Sequence, residues 1–394
     1  EIHAAAFRQC RISSITIPDS VKEIGDRAFF ECHALTSITI PGSVEVMGTN
    51  PFENCPRLMD IRVVGDGEYL KMIDGVLFNK DMTRLIWCSP EKSGNFEIPH
   101  TVETIDSCAF IGCGKVTSVT APDSVTEIVD YTFYDCSGLQ TFTIPNSVTY
   151  VGNGAFYGCQ GLTSITIPSS VASIGYNAFH YCSALTTVTI PDSVTSIGEF
   201  TFSLCSELKS VTLPGSITVI KAGTFFNCKK LASISIPESV VSIGENAFHS
   251  CIALKTFSIP ESVTFIDKGA FCDCSAITTI TIPDSVTFIG NGAFSLCSEL
   301  KSVTLPGSIT VIQAGTFQSC QKLASISIPE SVVSIGEDSF CCCDALKTIE
   351  IPKSVKEIGN RAFMFCSCLK TVIIPEGLEY PRNAFMPRTE FTFY

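Results

Sequence analysis

The chain has 394 residues, a formal net charge of −13, 45% hydrophobic and 16% charged residues, and 21 cysteines. The negative balance argues against nucleic acid or an anionic membrane surface as partner, and no apolar run approaches the roughly 18 residues of a membrane-spanning helix. A single globular core of this length would divide into two or three domains, whereas an array whose units contact only their neighbours escapes that limit.

The prolines reveal such an array. Fifteen of them, from Pro18 to Pro375, share one frame with a step of 23 residues, broken once between Pro41 and Pro99, where the step is 58, two repeats plus 12. The stretch SLCSELKSVTLPGSITVI runs from Ser203 to Ile220 and again from Ser295 to Ile312, four repeats later, which marks the duplication of a four-repeat block. Self-similarity at this period signals a solenoid. Aligned on its proline, the unit from Leu162 to Ala184 reads L-x-x-I-x-I-P-x-S-V-x-x-I-G-x-x-A-F-x-x-C-x-x.

In chain order, residues 1–60 are N-terminal repeats that start mid-repeat. EIHAAAFRQC is the second half of a unit without its strand, so the sequence reads as the interior of a longer protein, with any N-terminal cap or export signal outside it. An open strand ladder there would invite self-association. Residues 61–98 form an irregular repeat in which two apolar runs flank Asn79-Lys80-Asp81, a hairpin signal. Residues 99–377 keep the 23-residue register. Residues 378–394, with Pro381 and Pro387, leave it and read as a C-terminal capping coil over the last core layer. One continuous solenoid domain is expected throughout.

Within each unit, LTSITIP alternates apolar Ile165 and Ile167 with Ser164 and Thr166, a short strand with one face inward. Stacked units place these strands side by side as a parallel sheet at about 4.8 Å. Proline lacks an N–H for the ladder and so belongs at the strand's exit. The following Ser is suited to satisfying nearby backbone N–H groups, and S-V-x-x-I-G turns the chain onto the back. The phenylalanines from Phe156 to Phe363 at every repeat form an interior column, with a single turn or 3-10 piece at A-F-x-x-C.

The I-P, I-G, A-F and Cys landmarks resemble those of the BspA-like leucine-rich repeat family. The segment from Tyr69 to Pro99, with D-G-V-L-F-N-K-D at Asp74 to Asp81, is similar to the irregular hairpin module of such proteins. The resemblance covers nearly the whole chain. It implies a mainly β fold: a leucine-rich repeat solenoid with a parallel β-sheet on the concave face and short turns or 3-10 pieces on the convex face. It also implies kinship with surface proteins of anaerobic bacteria and protist parasites, several of which bind extracellular-matrix proteins or host cells, and it supplies no catalytic residues.

Fifteen cysteines share one slot, among them Cys32, Cys55, Cys136, Cys159, Cys182, Cys205 and Cys228. Neighbours about 5 Å apart are within disulfide reach. The slot nevertheless lies three residues after an inward Phe, and the reading adopted is a ladder of reduced, buried thiols acting as small hydrophobes, suited to a cytosol or an anaerobic exterior. Cys341, Cys342 and Cys343, with Cys320, Cys366 and Cys368 one repeat away, lack a C-x-x-C pair, and no metal or cofactor is assigned. Five scattered histidines and the absence of G-x-S-x-G, H-E-x-x-H or a phosphate loop leave no enzyme and no catalytic residue. GNGAF at Gly152 and Gly290 lacks the third glycine of a nucleotide fingerprint.

What remains is surface. The outward strand positions form two hydroxyl rows, and Ser164, Thr166, Thr187, Thr189, Thr212, Thr281 and Thr304 are the candidate concave binding face. Threonine is also simply a good strand former, and a threonine grid of the ice-binding kind would need a flat face. After the proline runs an acidic row whose candidate border is Asp192, Glu238, Glu261, Asp284 and Glu330. It suits a basic protein surface or loosely held Ca²⁺, or merely the turn and solubility. The expected function is a non-enzymatic protein-binding domain, a cell-surface or secreted adhesin for extracellular-matrix or host-cell proteins. The alternative is an intracellular, cytoplasmic structural or scaffolding repeat protein. The chain has no N-x-[S/T] sequon, which disfavours a eukaryotic secretory route.

Overall fold

The alternation of L-x-x-I-x-I sets the architecture. In Ser164–Thr166 the outer two residues are exposed and Ile165 is buried, and the same pattern recurs in Thr187–Thr189, Thr279–Thr281 and Ser302–Thr304. The computed structural model describes residues 1–65 and 68–394 and divides into two compact units, Glu1–Phe202 and Ser203–Tyr394. Each is a stack of parallel-paired coils, and no α-helix occurs among the described residues.

In the first unit, Ser14–Thr16, Ser37–Pro41 and Asp60–Val64 pair in parallel, as do Gly94–Glu97, Val116–Thr120, Thr141–Thr143, Ser164–Thr166 and Thr187–Thr189. Register steps by one repeat, so Ser164 lies opposite Thr187 and Thr166 opposite Thr189. In the second unit, Thr279–Thr281 pairs with Ser302–Thr304, and Thr348–Glu350 with Thr371–Ile374. Between Ser233 and Thr256 the pairing shrinks to a single bridge.

The S-V-x-x-I-G segment does more than turn. P-x-S-V closes a turn, Val171 N–H donating to the Pro168 carbonyl at 3.1 Å. The next residues then form a second parallel ladder of two-residue strands: Glu127–Ile128, Tyr150–Val151, Ser173–Ile174 and Ser196–Ile197 in the first unit, Val219–Ile220, Ser242–Ile243, Phe265–Ile266 and Phe288–Ile289 in the second. The Ser of P-x-S-V was expected to satisfy local N–H groups. In most coils it instead donates to a carbonyl of the preceding coil, Ser147 to Val125 at 2.6 Å and Ser262 to Val240 at 2.7 Å, because those carbonyls face it across the coil boundary.

Phenylalanine rings fill the interior as stacks, Phe133–Phe156–Phe179–Phe202 at 5.3–5.5 Å in the first unit and Phe225–Phe248–Phe271–Phe294 at 5.2–5.4 Å in the second. Burying each ring contributes about 1.5–3 kcal/mol, and stacking adds about 0.5–1.5 kcal/mol per pair. The cysteine three residues later is buried as a thiol, but it is more than a small hydrophobe. Its Sγ donates to the Phe carbonyl of the preceding coil, Cys159 to Phe133 at 3.2 Å and Cys274 to Phe248 at 3.1 Å.

The A-F-x-x-C segment is a run of turns rather than a 3-10 helix. Alternate residues donate to the next coil: Tyr131, Phe133 and Asp135 bond to the carbonyls of Asn153, Ala155 and Tyr157 at 2.7–2.8 Å. The two outer residues of each such trio are left-handed, Tyr131 at φ 57° and Asp135 at 56°, Asn177 at 55° and Tyr181 at 59°, Asn246 at 53° and Ser250 at 56°.

The irregular segment 61–98, of which residues 66 and 67 lie outside the described ones, carries the antiparallel pair Val76–Asn79 and Arg84–Cys88 around Lys80 and Asp81. Leu70–Ile73 joins it antiparallel, and Arg84 and Leu85 pair in parallel with Thr104 and Ile105, returning the chain to the stack. Residues 378–394 follow the last regular repeat. Glu390–Phe393 adds a parallel strand beside Thr371–Ile374, and Phe385 stacks on Phe363 at 5.0 Å, because its aromatics continue the buried column.

Candidate functional site

The candidate face is built by the strands. Ser164, Thr166, Thr187 and Thr189 stand exposed in the first unit, and Thr212, Thr281 and Thr304 in the second. Register brings Thr166 beside Thr189, and Thr281 beside Thr304. Their side-chain hydroxyls make no hydrogen bond within the chain among the described residues. Several hydroxyls elsewhere in the repeat are consumed internally: Thr36 donates to Ser13 O at 2.9 Å and Thr186 to Thr163 O at 3.2 Å. The outward rows thus differ from such Thr in being both exposed and without an internal partner.

The acidic candidates are all exposed, Asp192 in the first unit and Glu238, Glu261, Asp284 and Glu330 in the second. Asp284 serves its turn, its Oδ1 accepting the Gly307 N–H at 2.7 Å. Both candidate sets are thus divided between the two units. Among the described residues no group of three or more His, Cys, Asp or Glu is arranged to hold a metal.

The turn face, which the repeat pattern leaves variable, carries a feature that pattern does not mark. Tyr134, Tyr157 and His180, each in the slot after the inward Phe, stack at 4.6 and 4.7 Å, and Tyr131 meets Tyr134 edge-on at 6.0 Å. Tyr131, Tyr176 and Tyr181 are more than one-third exposed. Burial raises the Tyr134 phenol to about 12. The signal was compositional, since six of the nine tyrosines lie between Tyr131 and Tyr181.

The family model described as BspA type leucine-rich repeat region (6 copies) matches residues 1–84, 87–209, 172–301 and 287–390. Among solved structures, a leucine-rich repeat protein from Bacteroides ovatus is 29% identical, with a TM-score of 0.64, over 82% of this chain and 97% of that one. A leucine-rich cell surface protein from Faecalibacterium prausnitzii is 31% identical, with a TM-score of 0.54, over 79% and 94%. The pneumococcal vaccine antigen PcpA, 17% identical over 82% and 93% with a TM-score of 0.52, shares the fold. No curated protein matches. No helix among the described residues is long and apolar enough to cross a membrane.

Proposed function

The chain belongs to the BspA-type leucine-rich repeat family, a family of protein-interaction scaffolds, and from that membership we propose that it is a non-enzymatic adhesin of a microbial cell surface. It contacts extracellular-matrix or host-cell proteins through the outward hydroxyl rows and their acidic border. The observation that carries this reading is the set of seven exposed hydroxyls, from Ser164 to Thr304, that the fold leaves without internal work. Many weak contacts in register, each displaced by one coil, give area and avidity rather than a single anchor. The cell-surface description of the Faecalibacterium relative supports the location. The buried thiols favour a reducing or anaerobic setting, which keeps an intracellular scaffold as the second reading.

The test is binding of the reduced chain to immobilised fibronectin and fibrinogen across a salt series. One variant replaces Thr166, Thr189, Thr281 and Thr304 by Val, and another replaces Asp192 by Asn with Glu238, Glu261 and Glu330 by Gln. Saturable binding lost in the Val variant supports the hydroxyl face, and loss only in the second assigns the contact to the acidic border. Absence of binding at every salt concentration overturns the adhesin reading for these ligands.

A further inference from the structure

The first unit contains a cleft of about 620 Å³ on its turn face, where the coil of Asn54 meets that of Cys108, on either side of the irregular segment. One wall is Phe30, Glu31 and Glu53, the other Tyr131, Tyr134 and Asp135, and among the described residues no lysine or arginine lines it.

The first wall already accommodates guanidinium groups. Arg27 Nε pairs with Glu53 Oε2 at 2.6 Å while its Cζ lies 5.6 Å from the Phe30 ring centre, and Arg8 Cζ lies 5.2 Å from the same ring. Glu31 is occupied by Gln9, whose Nε2 donates to it at 2.6 Å. The Phe30 ring and Glu53 are thus satisfied by the chain's own arginines, and Glu31 by an amide.

The second wall repeats that combination without a cation. Gly154 and Gly158 make room for it: a Cβ on Gly154 would lie 2.6 Å from the Tyr131 ring, and one on Gly158 would lie 2.2 Å from Asp135 Oδ1. The Asp135 carboxylate has no ion pair and no side-chain hydrogen bond among the described residues. One side of it is open to solvent, and partial burial against the coil raises its pKa. An unpaired carboxylate beside two tyrosines gains most from a cation that is itself weakly hydrated and planar, which favours guanidinium over ammonium.

We propose that this cleft binds an arginine side chain presented by a protein partner, the guanidinium lying against Tyr131 and Tyr134 and pairing with Asp135. The chain's net charge of −13 draws such a partner in. The site lies on the turn face and does not rest on the hydroxyl-row reading, so either can fail without the other.

The experiment titrates the whole chain with N-acetyl-Gly-Arg-Gly-amide and with its neutral citrulline isostere, following tyrosine ring resonances by NMR. The arginine peptide is expected to shift Tyr131 and Tyr134 saturably and to bind at least about tenfold more tightly than the citrulline peptide. Asp135→Asn, which keeps a residue that tolerates the left-handed φ of 56°, is expected to weaken arginine binding about tenfold with an unchanged thermal midpoint. Tyr134→Leu should weaken it as well, while Glu330→Gln, in the other unit, leaves it unchanged. Equal binding of the two peptides, unaltered affinity in Asp135→Asn, or no saturable shift overturns the proposal. The peptide comparison uses the unmodified chain and is independent of how the variants fold.

Discussion

Arg84 grips Asp106 with two hydrogen bonds, Nε to Oδ1 at 2.7 Å and Nη2 to Oδ2 at 2.6 Å, and from the same guanidinium donates to the carbonyls of Met47 and Gly48 at 2.8 and 2.6 Å. Asp106 also accepts the Asn50 N–H at 3.1 Å, while Asn50 Oδ1 accepts the Ser107 N–H at 2.9 Å. Coils 57 residues apart in sequence are thereby joined across the irregular segment. Burial raises the Asp106 carboxyl despite the guanidinium beside it, as expected where the desolvation of a buried pair outweighs its Coulombic gain.

Arg84→Met, which leaves Asp106 buried without its cation and two carbonyls unpaired, is expected to cost about 3–5 kcal/mol. Adding Asp106→Leu should recover a substantial part of that loss. Urea denaturation of the single and double variants checks both, and a double variant no more stable than Arg84→Met contradicts the pairing.

Thiol chemistry should sort by burial. Cys368 is exposed and Cys10, Cys272 and Cys342 are half-buried, whereas slot cysteines such as Cys55 and Cys320 are buried and pushed up to about 12. Iodoacetamide at pH 8 is expected to label Cys368 first, the half-buried three slowly, and the buried slot cysteines only in denaturant. Mass spectrometry of the labelled peptides reads the order.

The left-handed positions predict a substitution rule. Asn227 sits at φ 60° with its N–H bonded to His249 O at 2.7 Å, and no Val, Ile or Thr occupies such a position among the described residues. Asn227→Val should destabilise by about 1–3 kcal/mol, and Asn227→Gly should be nearly neutral. Thermal unfolding of the two variants separates backbone strain from loss of the side chain, since both remove the amide.

His180 and His249 each bury an Nδ1 with no hydrogen-bond partner among the described residues. Burial lowers both from 6.5, with Asp273 opposing in part at His249. The unfolded chain therefore binds these protons more readily than the folded one. Their stabilising contribution is present above pH 6.5 and is lost as pH falls through that value toward the lowered folded pKa. The urea midpoint should drop between pH 8 and pH 5, and the drop should shrink in His180→Gln/His249→Gln. An identical drop in that variant contradicts the assignment.

The period of 23 residues exposed what packs. Ile165, Phe156 and Cys159 lie inward where the repeat places them, because burial imposes the same residue type coil after coil. It did not expose what bonds. A Cys that only packs and a Cys whose S–H reaches the preceding Phe carbonyl leave the same letter, and so do a Ser that accepts locally and Ser147, which donates to Val125. The two-residue ladder at Ser173–Ile174 is too short to alternate. The left-handed slots of Tyr181 and Leu204 look unconstrained because they select against branched side chains rather than for any one residue. The candidate face was legible in its residues. The cleft between Phe30 and Tyr134 was not, because an interruption in the array brings distant coils together.

The one-way bonding of the turn segments has an electrical consequence. At Tyr131, Phe133 and Asp135 every N–H points toward the following coil, and the carbonyls of Asn153, Ala155 and Tyr157 point back. The peptide dipoles of this strip align along the stack, as they do along a helix axis. The dipole is confined to this strip, because elsewhere in the same coils N–H groups point the other way, Thr149 to Thr126 O and Gly152 to Ile128 O. A further coil of the same kind, from this chain or a second copy, therefore meets unpaired N–H groups at one end of the strip and unpaired carbonyls at the other.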